Sequence, residues 1–218
     1  MPADKPEPDF VVSRATERLI FFSDAVVAIA ITLLAIDLPV PEGSSASAFW
    51  ASVRHSGGHY VAFLISFFVI AGAWGNHHDT FAYTTRVDRR LRSLNFCWLF
   101  TIVLNPFATK LLTTTGSATP FRFGFYALLQ VLSTAVLFAL LRHMSSSGLV
   151  PDAPSSVIRD MGFQAYGVMI AFGLSIPIFF VTSYGWILWI LAPMIIGRLS
   201  RRSWGPQDPD LSQGAQPK

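Results

Sequence analysis

The amino-acid sequence predicts an all-α integral membrane protein with six transmembrane helices per chain. Of its 218 residues, 52% are hydrophobic and only 13% are charged, whereas soluble domains carry roughly 25% charged residues. The mean hydropathy is +0.47. Apolar stretches close to the roughly 20 residues that a bilayer crossing needs recur along the chain. With a net charge of only +3 and no basic run, the expected partner is a lipid bilayer and not a nucleic acid.

Six apolar segments, separated by polar connections, are predicted to cross the membrane. They cover residues 18–38, 60–77, 91–112, 121–143, 162–181 and 184–196. Pro106 and Pro177 lie inside two of them and are expected to kink the helices. We therefore divide the chain into a disordered N-terminal tail (1–17), a six-helix transmembrane domain (18–200) and a C-terminal tail (201–218).

The basic residues predict the orientation of the chain. Six crossings place both termini on one side, and Lys and Arg accumulate on the cytoplasmic side of membrane proteins. Thirteen of the Lys and Arg residues fall on the side of the termini, and three fall on the other side: Arg54, Lys110 and Arg122. Both termini are therefore predicted to be cytoplasmic.

The first predicted helix has one continuous apolar stripe. Its residues are spaced 4, 3, 4, 3 and 4 apart, which is the period of one helical face, and they are Phe22, Val26, Ile29, Leu33, Ile36 and Val40. Asp24 lies on the opposite face with Ala28 and Ala35, whose small size favours close packing within the bundle. Thr32 lies on the flank. From the pattern alone, the stripe is lipid contact, bundle core or a functional surface, and Asp24 is a structural anchor or a proton or ion site.

Few other polar residues lie at membrane depth. Trp74, His77 and His78 share a helical face at i, i+3 and i+4, and Asn95 opens the third segment. Because Asp24, His77 and Asn95 all lie near the cytoplasmic ends of their helices, we expect them to form one buried polar cluster with Ser23. No zinc-binding, nucleophile or paired-aspartate motif accompanies them. No enzyme activity, catalytic residue, metal site or cofactor is therefore predicted.

Three short motifs give the sequence a resemblance to a known family. They are RxxxFSD at residues 18–24, WxxHH at residues 74–78, and LN at residues 94–95 followed by PF at residues 106–107. In this order they resemble the endosomal and lysosomal potassium channel family, transmembrane protein 175. Because the chain has one six-helix unit, it resembles the prokaryotic form, which implies a homotetramer in a prokaryotic plasma membrane. The motifs also imply a structural polar network of Arg18, Ser23, Asp24, Trp74, His77 and Asn95.

The resemblance implies a central pore lined by the first helices of the oligomer. Ile29, Leu33 and Ile36 are at the positions that form the hydrophobic constriction in this family. Thr32 matches a hydroxyl position linked to selectivity, whereas Ala28 replaces a second hydroxyl that the family often has. The implied function is passive, leak-type transport of K⁺, and more weakly of other monovalent cations, with K⁺ as the permeant ion and no cofactor.

A second function remains open from the residues. Asp24 and His77 could act as a relay in a proton channel or a proton-coupled transporter, because histidine titrates near neutral pH. An apolar constriction, in contrast, offers no groups that replace the water of an ion, so an ion must shed part of its hydration shell or wait for the pore to wet.

Overall fold

A computed structural model describes residues 8–114, 116–182, 185–189 and 191, with side chains described from residue 14 onward. In these residues the chain forms helices and no strands. Seven helices follow one another: α1 (Pro8–Ile36), α2 (Ala46–His55), α3 (Gly57–Phe81), α4 (Arg89–Val103), α5 (Asn105–Thr113), α6 (Thr119–Ser146) and α7 (Ser155–Phe179).

Five helical stretches of the described chain are long and apolar enough to cross a membrane. They are Arg14–Ile36 in α1, Gly57–Phe81, Arg89–Thr113 across α4 and α5, Thr119–Ser146 and Ser155–Phe179. The predicted all-α class is confirmed. Most of the sixth predicted segment, 184–196, lies outside the described residues.

The observed helix boundaries differ from the predicted ones in three places. Helix α1 begins at Pro8, so residues 8–17 are helical although the sequence predicts a disordered tail there; Pro is well suited to a first helical turn, where its missing N–H is not needed. The connection after α1 contains α2, whose N-terminus is capped by the Ser45 hydroxyl. The third segment does not bend smoothly at Pro106 but breaks at Leu104, and Pro106 lies in the first turn of α5.

One face of α1 packs against α3 and α4. Val27, Ala30 and Leu34 of α1 are buried against Ile70 of α3 and Trp98 of α4. Ala28 and Ala35, which were expected to pack inside the bundle, are exposed; Ala30 is the small residue on the packed face. A second core at the other end of α4 joins α1, α4 and α6, and a third joins α5, α6 and α7.

Polar contacts between the connections show which helix ends lie together. At one end, His143 at the end of α6 is 2.8 Å from Asp88 at the start of α4, and the Thr85 N–H donates to the Leu149 carbonyl at 3.0 Å. At the other end, the Tyr60 hydroxyl donates to the Pro39 carbonyl at 2.8 Å. The helices therefore alternate in direction, as successive membrane crossings do.

Candidate functional site

Helix α1 has a buried face and an exposed face. The buried face is formed by Leu19, Ser23, Val27, Ala30 and Leu34. On the exposed face, the accessible fractions are 58% for Ile29, 42% for Leu33 and 75% for Ile36. The three predicted constriction residues therefore project away from their own subunit.

The exposed apolar stripe is less uniform than its sequence pattern. Phe22 and Val40 extend the exposed surface at either end, and the Phe22 ring lies edge-on to Phe96 of α4 at 5.8 Å. Val26, however, is partly buried and packs against the core between α1, α3 and α4. From Ile29 onward, therefore, the residues of the stripe are exposed and do not pack against this core.

Thr32 lies on the same exposed surface as the constriction residues. Its hydroxyl donates a 2.9 Å hydrogen bond to the Ile29 carbonyl, one turn earlier. The hydroxyl proton is used inside the helix, so the lone pairs of the oxygen are directed away from that bond. Thr32 thus adds an oxygen acceptor to a surface that is otherwise apolar.

Behind this surface, a buried polar cluster joins α1, α3 and α4. Asn95 is at its centre: the Asn95 amide nitrogen donates to the Ser23 hydroxyl at 2.9 Å, and the amide oxygen is 2.7 Å from Nε2 of His77. Ser23 in turn donates to the Leu19 carbonyl at 2.9 Å. With the amide in this orientation, Nε2 of His77 is the donor to Asn95. All three side chains are buried, and each is satisfied by a neighbouring helix.

Aromatic rings hold the histidine of this cluster in place. The His77 ring stacks on Trp98 with the ring centroids 4.2 Å apart and an angle of 10° between the planes. Phe81 covers the ring with a centroid distance of 4.5 Å. His77 is 1% exposed, so its ring is fixed by packing as well as by Asn95.

Asp24 belongs to a separate pair. The indole nitrogen of Trp74 donates to the Asp24 carboxylate at 2.8 Å, and Trp74 is 40% exposed. Among the described side chains, no hydrogen bond joins Asp24 or the exposed Arg18 to Ser23, His77 or Asn95. The six predicted network residues therefore do not form one cluster. Adjacent residues of a helix point about 100° apart, and here Ser23 is directed toward Asn95 of α4 whereas Asp24 is directed toward Trp74 of α3.

A second buried polar network was not predicted from the sequence. It lies at the break between α4 and α5, where the Gln130 amide donates to the Asn105 side-chain oxygen at 2.7 Å. Thr109 donates to the Ser66 hydroxyl at 2.7 Å, and Ser66 is 3.1 Å from the Tyr126 hydroxyl. Asn105 and Thr109 stand out in the sequence as polar residues at membrane depth, but nothing in the sequence indicates that they pair with α3 and α6.

Charged pairs mark the two ends of the bundle. At one end, Nζ of Lys110 is 2.8 Å from Oδ1 of Asp37, the residue after Ile36. At the other end, Asp88 caps α4 by accepting the Leu91 N–H at 2.6 Å and contacts His143. The Leu91 N–H, with a smaller contribution from His143, holds the pKa of Asp88 below its usual range. Neither carboxylate was singled out from the sequence.

Comparison with known proteins assigns the chain to a family. The family model described as "Endosomal/lysosomal potassium channel TMEM175" matches residues 18–106. A protein of Streptomyces collinus named as a potassium channel is 35% identical over 138 residues, which cover 62% of this chain and 67% of that protein. The chain belongs to the TMEM175 family. The resemblance inferred from the sequence motifs is therefore confirmed, and the protein is an integral membrane protein.

A solved structure and a more distant relative extend the comparison. The crystal structure of a lysosomal potassium-selective channel TMEM175 homolog from Chamaesiphon minutus has a TM-score of 0.67 and 25% identity, and covers 88% of this chain and 100% of that chain. A rat protein named as an endosomal/lysosomal proton channel TMEM175 is 27% identical over 103 residues. That match covers 47% of this chain and 21% of the rat protein.

Proposed function

We propose that this TMEM175-family protein is a potassium-permeable, leak-type cation channel with a hydrophobic constriction formed by Ile29, Leu33 and Ile36. The observation that carries the proposal is the exposure of these three side chains on the face of α1 opposite its packed face. The names of the Streptomyces collinus and Chamaesiphon minutus relatives, both potassium channels, support the choice of ion.

A pore lined by α1 requires several copies of the chain, because one helix cannot enclose a channel. The exposed apolar side chains of α1 must also be covered by lipid or by other subunits. We propose a homotetramer in which four α1 helices surround the pore and bring four copies of Ile29, Leu33 and Ile36 into rings. Ile29, which lies nearest the N-terminal side, is proposed to form the tightest ring.

An aliphatic ring favours K⁺ through the cost of dehydration. It provides no oxygen that replaces the water around an ion, so an ion must cross it partly dehydrated or after the constriction wets. K⁺ holds its water less tightly than Na⁺ and therefore meets the lower barrier. Each difference of about 1.4 kcal/mol between the two barriers corresponds to about a tenfold ratio of rates. Thr32 is proposed to add selectivity through its hydroxyl oxygen beside the rings.

The proposed location is a prokaryotic plasma membrane with both termini in the cytoplasm. The excess of Lys and Arg on the side of the termini, thirteen against three, supports this orientation. The pair of Asp37 and Lys110 then lies at the external end of α1, and the pair of Asp88 and His143 lies at the cytoplasmic end.

The alternative function is a proton channel or a proton-coupled transporter that uses Asp24 and His77. The printed name of the rat relative is one reason to test it. The arrangement of the residues gives it less support, because Asp24 bonds to Trp74 whereas His77 bonds to Asn95. A relay between them would need water to bridge the two sets.

Flux through the purified protein separates the two functions. Liposomes that contain the protein and a K⁺ gradient are expected to pass K⁺ passively, as measured with a potassium-selective electrode, and to pass less Na⁺ under the same gradient. Proton flux measured with a trapped pH dye in the absence of K⁺ flux would favour the alternative.

A matched pair of substitutions tests the constriction itself. Ile29 on α1 and Ile170 on α7 have almost the same exposure, 58% and 59%. Replacing Ile29 with Asn should wet the pore, raise the current and lower the preference for K⁺ over Na⁺, whereas Ile170→Asn should leave both unchanged. The same result is expected for Leu33→Asn. If neither Ile29→Asn nor Leu33→Asn moves the reversal potential with K⁺ on one side and Na⁺ on the other, the constriction is elsewhere.

A further inference from the structure

We infer that Asp37 and Lys110 form a charge-compensated rim, with one carboxylate–ammonium pair per subunit, at the external mouth of the pore lined by α1. In this rim the positive charge of Lys110 limits how strongly the Asp37 carboxylate concentrates cations at the mouth. This inference rests on the proposed function, because it requires that α1 line the pore. It concerns the entry of cations and not their selection at the constriction.

The position of Asp37 carries the inference. Asp37 directly follows Ile36, the last residue of α1 and the most exposed of the three constriction residues. Its side chain is half exposed and turns toward Lys110 of its own subunit, so the carboxylate lies at the level at which the α1 stripe ends. In an oligomer with α1 around the pore, each subunit therefore contributes one carboxylate close to the pore mouth.

Lys110 is placed to neutralise that carboxylate. It lies in the last turn of α5, and its ammonium group contacts Oδ1 of Asp37 at 2.8 Å. His59 lines the same crevice between α1, α3 and α5. Lys110 belongs to the short helix α5, which begins after the break at Leu104, and its contact with Asp37 places the end of α5 beside the end of α1.

The pair of Lys110 and Asp37 contributes little to the stability of the fold. The side chains of Lys110 and Asp37 are 64% and 50% exposed, and ion pairs with such exposure contribute little to folding. Their charges nevertheless act on ions at the mouth. A single carboxylate about 10 Å from a cation in water changes the local cation concentration roughly twofold, and several carboxylates around a pore act together.

A double-mutant cycle that removes the two charges, with currents recorded in planar bilayers, tests the rim. The four proteins to compare are the parent, Lys110→Gln, Asp37→Asn and the double variant, and the quantity to measure is the K⁺ conductance for ions that enter from the Asp37 side. At a salt concentration of about 0.01 M, where the Debye length is about 30 Å, Lys110→Gln should conduct roughly twofold or more better than the parent. Asp37→Asn should conduct less than the parent by a similar factor, and the double variant should match the parent.

Salt and two control variants make the result specific. At about 1 M salt, where the Debye length is about 3 Å, the four conductances should converge. Arg86→Gln, at an exposed residue of the connection between α3 and α4, removes a positive charge at the opposite end and should not change entry from the Asp37 side. Asp37→Glu keeps the charge and should behave as the parent does.

The outcomes separate the rim from the channel itself. Equal conductances for the four proteins at low salt, in a protein that conducts K⁺, would overturn the rim and leave the proposed function intact. A parent protein that passes no K⁺ in the liposome assay would overturn the proposed function first. If Lys110→Gln lowers conductance at both salt concentrations while the double variant does not restore it, Lys110 acts on structure and the rim is also rejected.

Discussion

Trp74 donates its indole hydrogen to the Asp24 carboxylate across the contact between α3 and α1, with 2.8 Å between the nitrogen and the oxygen. An ionised carboxylate at membrane depth is costly unless it has partners. Trp74 supplies that partner from a position that is itself 40% exposed. The pair therefore fixes the partly buried Asp24 at the border between the packed face and the exposed face of α1.

Removing the indole donor should destabilise the protein. Trp74→Phe keeps a ring but removes the hydrogen bond to the partly buried Asp24, and a typical intramolecular hydrogen bond contributes about 0.5–1.5 kcal/mol to stability. We expect a lower melting temperature in detergent, measured by size-exclusion chromatography after heating. Trp50→Phe, on the exposed helix α2, is the control and should have the same melting temperature as the parent.

Asp24 itself should matter for assembly. Asp24→Ala is expected to lower the yield of assembled oligomer, because Trp74 then loses its acceptor in turn, whereas Asp24→Asn can still accept the bond through its amide oxygen. An Asp24→Ala protein that assembles normally and loses only a pH response would instead identify Asp24 as part of a proton pathway.

Asn95 should be the most sensitive residue of the buried cluster. Asn95→Ala removes the partner of both Ser23 and His77, so we expect a loss of about 2 kcal/mol or more, compared with about 1 kcal/mol for Ser23→Ala. The free energy of unfolding of detergent-solubilised protein, measured by denaturant titration, gives both values. Ser93→Ala removes an exposed hydroxyl from the same helix and is expected to cost little. A larger effect for Ser93→Ala than for Asn95→Ala would contradict the central position of Asn95.

The contribution of Asp88 to stability should depend on pH. Its folded pKa is lower than that of an unfolded Asp, chiefly because the Leu91 N–H stabilises the carboxylate. The contribution is therefore fully present above the unfolded pKa of about 3.9 and is lost as the pH falls through the lower folded value. At neutral pH, Asp88→Ala should reduce stability by about 0.5–2 kcal/mol, as the loss of a helix cap does.

A pair of melting curves checks the Asp88 prediction. The difference in melting temperature between the parent and Asp88→Ala should shrink as the pH falls below about 4, where the Asp88 carboxylate begins to be protonated. The control is Asp152→Ala, at an exposed residue of the connection between α6 and α7. Its melting temperature should equal that of the parent at each pH. A difference that is independent of pH throughout would mean that the charge of Asp88 contributes nothing to the cap.

The two faces of α1 could be predicted from the sequence because helical periodicity alone determines them. The spacing of Ile29, Leu33 and Ile36 places them on one side in any straight helix. Their exposure follows because Val27, Ala30 and Leu34 take up the packed side. The sequence motifs indicate the family to which the chain belongs, which periodicity cannot supply.

The pairing of the polar residues could not be predicted in the same way. It depends on how α1, α3 and α4 are rotated relative to one another, and periodicity within one helix carries no information about that rotation. Asp24 was therefore grouped with Ser23, its neighbour in sequence, although the two bond to different partners. The bond between Gln130 and Asn105 and the pair of Asp37 and Lys110 both involve residues of α5, whose separation from α4 at Leu104 the sequence indicates only as a kink at Pro106.

The orientation in the membrane has its own test. A reporter fused after Lys218 is expected to be protected in intact cells and to become accessible only after the membrane is permeabilised. The same reporter inserted in the connection between α1 and α2 should show the opposite behaviour. Accessibility of the Lys218 fusion from outside would reverse the topology and move the pair of Asp37 and Lys110 to the cytoplasmic mouth.

Thr32 should influence ion preference more than ion flow. Its hydroxyl proton is donated to the Ile29 carbonyl at 2.9 Å, so its oxygen can act as an acceptor for a cation or its water beside the aliphatic rings. Thr32→Ala removes this oxygen without adding bulk, so the conductance should remain close to that of the parent while the preference for K⁺ over Na⁺ falls. Thr32→Ser keeps the hydroxyl and should retain the preference. The measurement is the reversal potential with K⁺ on one side of a bilayer and Na⁺ on the other.

The control for Thr32 is a threonine with the same local bond at another place. Thr119 at the start of α6 also donates its hydroxyl to a carbonyl three residues earlier, that of Gly116, but α6 is not proposed to line the pore. Thr119→Ala should therefore leave the reversal potential unchanged. If Thr32→Ala and Thr32→Ser shift the reversal potential equally, the effect comes from the missing methyl group and its packing, and the hydroxyl oxygen has no part in selecting the ion.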